Sequence, residues 1–511
     1  MQGWKYICGR VNEQGLSAED FRKLAREEFG RYGVYPDSIH KIGNTFFFMA
    51  WENDTKVLVI QGECSQYDIF DSMEVDLGYG RAKVCELNNY NCGVLRVAFP
   101  YMNPISHKGS GITLGLGDRL GMASPGHLRL IKDKNVFPVL AQQSTRELSL
   151  TKRSFDDVLS AASWAVFQEG YEKGFGADGD HLKTAEEVKM ALDCGFTMIT
   201  LDCSGYIRND MASFPGSQIE RCFSELPKCE RERLKFKYLN KVYVLGDGNV
   251  IRFSVESLER AALVYLNAIK FTIAVYRKVI VNYKRQVDFE MSIDETNTPT
   301  SPESHFFVAS ELIEGGVEIT SLAPRFCGEF QKGIDYRGDI GQFAEEFKMH
   351  VSIAEYFGYK ISVHSGSDKF SVFPIIGKTT NGKYHLKTAG TNWLEALRVI
   401  SCKDPNLFRR ILEFAVSNVD DAKKYYHISA KSQNVPCIEA LDDSELPMMM
   451  DIDDSRQILH ITYGLILQAR DKNGEFIFRN DIFSTLNKYE NDYYESLEKH
   501  FARHLKELAL E

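Results

Sequence analysis

A chain of 511 residues with 44% hydrophobic and 26% charged side chains can bury a sizeable core and is long enough for two to four domain-sized units. Its formal charge of -10, with no concentrated basic block, argues against nucleic acid as a partner, and no uncharged apolar run of about 20 residues marks a membrane span. The N-terminus, Met1-Gln-Gly-Trp-Lys-Tyr-Ile-Cys8, lacks the apolar centre of a signal peptide, and the eleven cysteines are scattered without a Cys-x-x-Cys pair, so the expectation is a cytoplasmic protein with reduced, buried thiols.

Residues 1–105 mix β-rich runs, such as Phe46-Phe-Phe-Met-Ala-Trp51, with a capped helical pattern beginning at Ser17, which predicts an N-terminal α+β domain without visible chemistry. A linker is expected at 106–111. From 111 to 426 a repeated grammar follows: a short apolar run ends in polar residues and is succeeded by a helical pattern, eight times over, with strands expected at 112–117, 137–141, 174–177, 197–201, 287–293, 317–322, 360–363 and 384–387. Eight βα units make an α/β fold, a closed (β/α)8 TIM barrel, the expected architecture. Residues 203–253 interrupt the grammar with a charged stretch and a hairpin signal at Leu245-Gly-Asp-Gly-Asn-Val250, read as an insertion over the barrel mouth. A C-terminal extension, 427–511, reads as irregular and acidic to 480 and then as one helix over 481–510.

The chemistry is densest in Gly174-Phe-Gly-Ala-Asp-Gly-Asp-His-Leu-Lys183, where Gly176 and Gly179 are expected to turn the backbone and aim Asp178, Asp180, His181 and Lys183 into one space. The plainer reading is a polar strand-to-helix turn capped by Thr184. Residues just past the strands of a parallel barrel converge on one face, and here they are polar throughout: Asp118 and Arg119, Ser144, the Asp178–Lys183 set, Asp202, Asp294 and Glu295, Arg325 and Glu329, His364, and Lys387. His181, His364 and one carboxylate would complete a three-ligand divalent-cation site; Glu329, Glu295, Asp294 and Asp368 all qualify, and Glu329 is favoured because its loop can fold inward. His305, His350, His460, His500 and His504 lie in helical patterns and read as structural.

Asp180 and Glu295 fall on opposite sides of the expected ring, as an acid and a base serving two faces of one carbon would, or as partners in salt bridges to Lys183, Arg119 or Arg325. Those cations, with Lys387, could instead hold a substrate carboxylate. The cluster Gly115-Leu-Gly-Asp-Arg-Leu-Gly121 has the wrong glycine spacing for a dinucleotide loop, and neither a Walker motif nor a Gly-x-Ser-x-Gly elbow occurs.

The segments Gly115-Leu-Gly-Asp-Arg-Leu-Gly-Met-Ala-Ser-Pro-Gly-His127, Gly176-Ala-Asp-Gly-Asp-His-Leu-Lys183, Asp294-Glu-Thr296 and Ser362-Val-His-Ser-Gly-Ser-Asp368 together resemble the tagaturonate/fructuronate epimerase family across the barrel. The resemblance implies a divalent-metal-dependent isomerase that interconverts D-tagaturonate and D-fructuronate, with acid/base roles at Asp180 and Glu295 and metal ligation at His181, His364 and Glu329. Asp118, Arg119, Ser144, Lys183, Asp202, Arg325 and Lys387 are expected to bind the sugar acid. The inverted carbon lies β to the ketone, so direct enolisation does not acidify it; retro-aldol cleavage, or a proton or hydride transfer at that carbon, are the two routes. A different sugar-acid aldolase or isomerase, or a non-catalytic sugar-acid binder, are the competing readings, and homo-oligomerisation is left open.

Overall fold

The computed structural model describes residues 3–62, 68–107 and 111–510 of the chain, so residues 108–110 of the expected linker lie outside them. Two helices, Gly3–Gln14 and Ala18–Tyr32, precede a five-stranded antiparallel sheet in which the third strand is flanked by the second and fifth. Alternation in strand Thr45–Glu52 decides how this sheet packs. Phe46, Phe48 and Ala50 face the two helices through Trp4 and Phe21, whereas Phe47 and Met49 face Phe99, Trp164 and Phe167. Trp164 and Phe167 belong to the barrel helix Phe155–Gln168, so the sheet's second face is closed by the barrel itself.

Eight parallel strands form the closed barrel: Thr113–Gly115, Phe137–Ser144, Gly176–Leu182, Met198–Asp202, Asp288–Ile293, Ser321–Pro324, Lys360–Val363 and Tyr384–Lys387. The last pairs with the first through His385–Thr113, Leu386–Leu114 and Lys387–Gly115. Four strands run past their expected ends, the fourth by one residue and the sixth, which begins only at Ser321, by two. The second continues to Ser144, which caps the following helix, and the third continues through the Asp178–Leu182 segment that had read as a turn.

The insertion does not lie over the mouth. Its helices Gly216–Ser224 and Lys228–Tyr238 pack on the outer helices Val255–Val275 and Pro302–Glu314, where Arg233, Lys237 and Tyr238 all engage Glu311. Amphipathic spacing through Ile219, Phe223 and Leu234 buries these segments against the helical wall. Residues 427–480 are more ordered than their composition suggested, carrying helices Asp453–Ile461 and Tyr463–Gln468 in a second core with Trp393, Leu397 and Phe408. The terminal helix is two, Arg479–Lys488 and Glu490–Glu507, broken at Tyr489, and the second packs against Ser124–Ile131 and Thr391–Lys403. The ten described cysteines are free, but Cys229, Cys402 and Cys437 are exposed rather than buried. Among the described residues no helix is long and apolar enough to cross a membrane.

Candidate active site

The third barrel strand alternates as an extended chain must, and this arranges the site. Asp178 and Asp180 point inward, while a Cβ added to Gly179 would stand 2.9 Å from Leu182 and 3.0 Å from Ala191 on the helix behind. Gly179 therefore lets helix Ala185–Cys194 approach the sheet; neither it nor Gly176 takes the positive φ of a turning glycine. The residue that does turn is His181, at φ 53°, a conformation that strains a non-glycine residue and recurs at functional sites. Thr184 caps the helix through a reciprocal box with Glu187.

Beneath His181 lies a charged floor inside the barrel. Lys387 donates to Asp178 at 2.9 Å, Asp180 at 2.7 Å and Thr200 at 2.5 Å, with Glu290 3.1 Å away. All three ammonium protons are engaged by the protein at the floor of the cavity that Lys387 helps to line. Burial lifts Asp178 to about 6, against the pull of Lys387. Asp180 and Glu290 are equally enclosed, yet the cations around them outweigh burial and hold both well below the usual carboxylate range.

Each mouth histidine is clamped through one ring nitrogen by one of these acids. Asp180 Oδ1 meets His181 Nδ1 at 2.7 Å, and Glu290 Oε1 meets His364 Nε2 at 2.7 Å. The other nitrogen of His364, Nδ1, is buried and faces Asp294 Oδ2 at 3.3 Å. His181, Asp294 and His364 each bring one ligating atom to within 4.8 Å of the others. These residues fit a divalent cation. Two imidazoles are oriented by carboxylates behind them, and Asp178, Asp180 and Glu290 share a single lysine while Asp294 faces the outer nitrogen of His364. Without a cation that imbalance falls on the imidazoles. Burial depresses His181, but Asp180 reverses the effect and lifts it to about 10. Glu329 is not in the group; its carboxylate accepts from the Gln331 side chain, and Asp294 takes the place expected of it.

A cavity of about 360 Å³ opens above the group, and its walls include Arg119, Ser144, Glu295, Arg325 and Glu329. Arg119 is pinned by Glu147 at 3.1 Å and stacks 3.9 Å from the Tyr463 ring centre. Ser144 accepts the Glu147 amide as a helix cap, so its hydroxyl serves the fold as well as the wall. Three residues expected to bind substrate stand elsewhere. Asp118 is turned into its own loop, accepting the amides of Leu120, Gly121, Ala123 and Ser124. Lys183 and Asp202 lie outside the cavity, 3.4 Å from each other.

The polar end of the second strand, Gln142 to Arg146, brings Arg146 to the cavity, whereas strand-end positions do not reveal Glu290 and Thr200, which lie within strands, or Glu147 and Lys332, which lie beyond them. The signal for Glu290 was present: Asp288, Glu290 and Ser292 alternate with Phe289, Met291 and Ile293, a polar face on a strand buried throughout.

The family profile described as UxaE, tagaturonate epimerase, matches residues 35–508. A tagaturonate/fructuronate epimerase of Thermotoga maritima is 42% identical over 486 residues, covering 94% of this chain and 98% of its own. A one-glycerol crystal structure of the fructuronate-tagaturonate epimerase UxaE of Cohnella laeviribosi superposes with a TM-score of 0.92 at 47% identity, covering 97% of this chain and all 100% of that one. A two-glycerol structure of the same enzyme gives 0.92 at 48% identity, with 96% and 99% coverage. With a profile matched over nearly its whole length and relatives this similar, the chain belongs to the tagaturonate epimerase family.

Proposed function

We propose that this protein interconverts D-tagaturonate and D-fructuronate with a divalent cation held by His181, Asp294 and His364. Family membership supports the reaction, and the observation that carries the cation is the convergence of one ligating atom each from His181, Asp294 and His364 within 4.8 Å, with Asp180 and Glu290 fixing the two rings from behind. When bound, the cation supplies a Lewis acid that polarises the ketone of the sugar acid.

The chain's own residues divide the remaining work. Asp180, expected to move a proton, is committed to His181 and Lys387 and held anionic; it orients the imidazole and is a poor proton carrier. Glu295 is exposed at the cavity wall and is the carboxylate left to take the hydroxyl proton of the inverted carbon. Because that carbon is β to the ketone, we favour carbon–carbon cleavage followed by re-addition to the other aldehyde face.

The test is turnover of D-tagaturonate before and after chelation, with cation added back, for the wild type, His181→Ala and Asp294→Ala. Chelation should abolish D-fructuronate formation reversibly. Each variant should lose more than about a hundredfold, beyond what the loss of an outer partner alone causes. Chelator-resistant activity together with near-normal variants would rule the cation site out.

A further inference from the structure

Among the described residues three cations on the cavity wall, Arg146, Arg325 and Lys332, have no carboxylate at ion-pair distance, and two of them, Lys332 and Arg146, stand beside Arg119. Lys332 is partly buried and, among the described residues, donates only to Ser365 Oγ, at 2.9 Å. Arg146 stacks 4.8 Å from the Tyr426 ring centre and reaches the Tyr425 carbonyl at 3.5 Å. Among the described residues neither has a carboxylate within the 4.0 Å of an ion pair, whereas Arg119 beside them is paired with Glu147. Burial, and then the neighbouring Arg119 and Arg146, pull the Lys332 ammonium below its ordinary value despite Glu147. Three like charges crowd beside Glu147, which Arg119 already holds, and among the described residues none of the cavity's other carboxylates, Asp180, Asp294, Glu295 and Glu329, comes within ion-pair distance of Lys332 or Arg146, so the two call for an anion from outside.

We infer that Lys332 and Arg146, set beside Arg119, anchor the carboxylate of the sugar acid and thereby retain the fragment released in mid-reaction. The inference rests on the cleavage reading above. Cleavage breaks the bond between the inverted carbon and the carbon next to the ketone. The electron pair stays with the ketone-side fragment, and the hydroxyl proton of the inverted carbon passes to Glu295. The other product is a three-carbon aldehyde acid that still carries the carboxylate. One single bond separates its aldehyde carbon from the carbon bearing that carboxylate, so rotation about this bond presents the opposite face while the anchor holds. Re-addition returns the electron pair and the proton, and nothing is oxidised or reduced. The anchor is thus what distinguishes an epimerase from an aldolase in this cavity.

The test uses cation-loaded Lys332→Met, Arg146→Met and Lys332→Arg, with D-tagaturonate and an aldehyde-trapping hydrazine, and reads KM, kcat and trapped fragment per epimerisation. Both methionine variants should raise KM about tenfold or more, as loss of a charged hydrogen bond does, and should trap several times more fragment than the wild type. Lys332→Arg should restore retention, and cation content should be unchanged in all three. Unaltered KM and trapping in both methionine variants would overturn the anchor. A fragment trapped equally from every protein would overturn retention and leave cleavage standing. Raised KM with no fragment from any protein would overturn cleavage, and retention with it, a result separate from failure of the anchor.

Discussion

Two pairs of histidines in this barrel have nearly the same spacing and opposite chemistry. The ring centres of His181 and His364 lie 4.9 Å apart at the mouth, and those of His305 and His350 lie 5.0 Å apart among the outer helices. In the outer pair the rings bond to each other, Nδ1 to Nδ1 at 2.9 Å, with Tyr359 Oη on His305 Nε2 at 2.6 Å. Burial there drives both below the ordinary histidine value, His350 to about 4. At the mouth each ring has an acid behind it, and burial is overridden. Proximity of imidazoles does not by itself set their chemistry; a carboxylate behind each ring, fixing one nitrogen, reverses the effect of burial.

That contrast breaks first at Glu290. Glu290→Gln keeps the side-chain volume but removes the charge that fixes His364 and helps hold Lys387. Cation affinity, measured by calorimetric titration of the metal-free protein, should fall about 10- to 100-fold, with turnover falling in step. An unchanged affinity would mean that His364 is placed by packing alone, like His350.

The outer pair offers the converse. A histidine held neutral contributes stability that is complete above the unfolded value of about 6.5 and is lost as pH falls from there toward the folded value of about 4, because the unfolded chain takes up the proton first. The full shift at His350 amounts to at most about 3 kcal/mol, of which about half is lost by pH 5.5 to 5. His350→Phe should therefore show a shallower fall in melting temperature between pH 6.5 and 4.5 than the wild type. At pH 7 it should be somewhat less stable, since His305 Nδ1 loses its partner. An identical acid limb in both proteins would show that His350 is not held neutral.

The barrel was legible because its strands are short apolar runs whose polar ends recur with a regular helical spacer, and all eight overlap their expected positions, the sixth by only Ser321 and Leu322. His181, His364 and Asp294 were visible for the same reason: a strand end is a sequence position as well as a place in space. What escaped depends on which way a side chain points. Lys387 and Asp118 sit at strand ends as Arg119 does, yet one is drawn down to three acids and the other folds back onto four amides. Glu290 was hidden by the opposite error, an acid inside a strand taken to be apolar. The insertion was misplaced because its amphipathic helices announce that they are buried but not against which surface.

The smallest expected effect isolates the strand from the helix that follows it. Gly174 to Lys183 admitted two readings, an active-site floor and a helix-capping turn, and the structure contains both within a few residues: Asp180 and His181 face the cavity, while Thr184 caps helix Ala185–Cys194. Thr184→Ala removes the acceptor for the Glu187 amide and should cost about 1 kcal/mol of stability in denaturant unfolding. Because His181 is fixed by Asp180 from inside the barrel and not by the helix, cation affinity should stay within about twofold of the wild type. A loss of affinity in Thr184→Ala comparable to that of Glu290→Gln would mean that the left-handed turn at His181 is held from the helix side, and that the two halves of the stretch work as one unit.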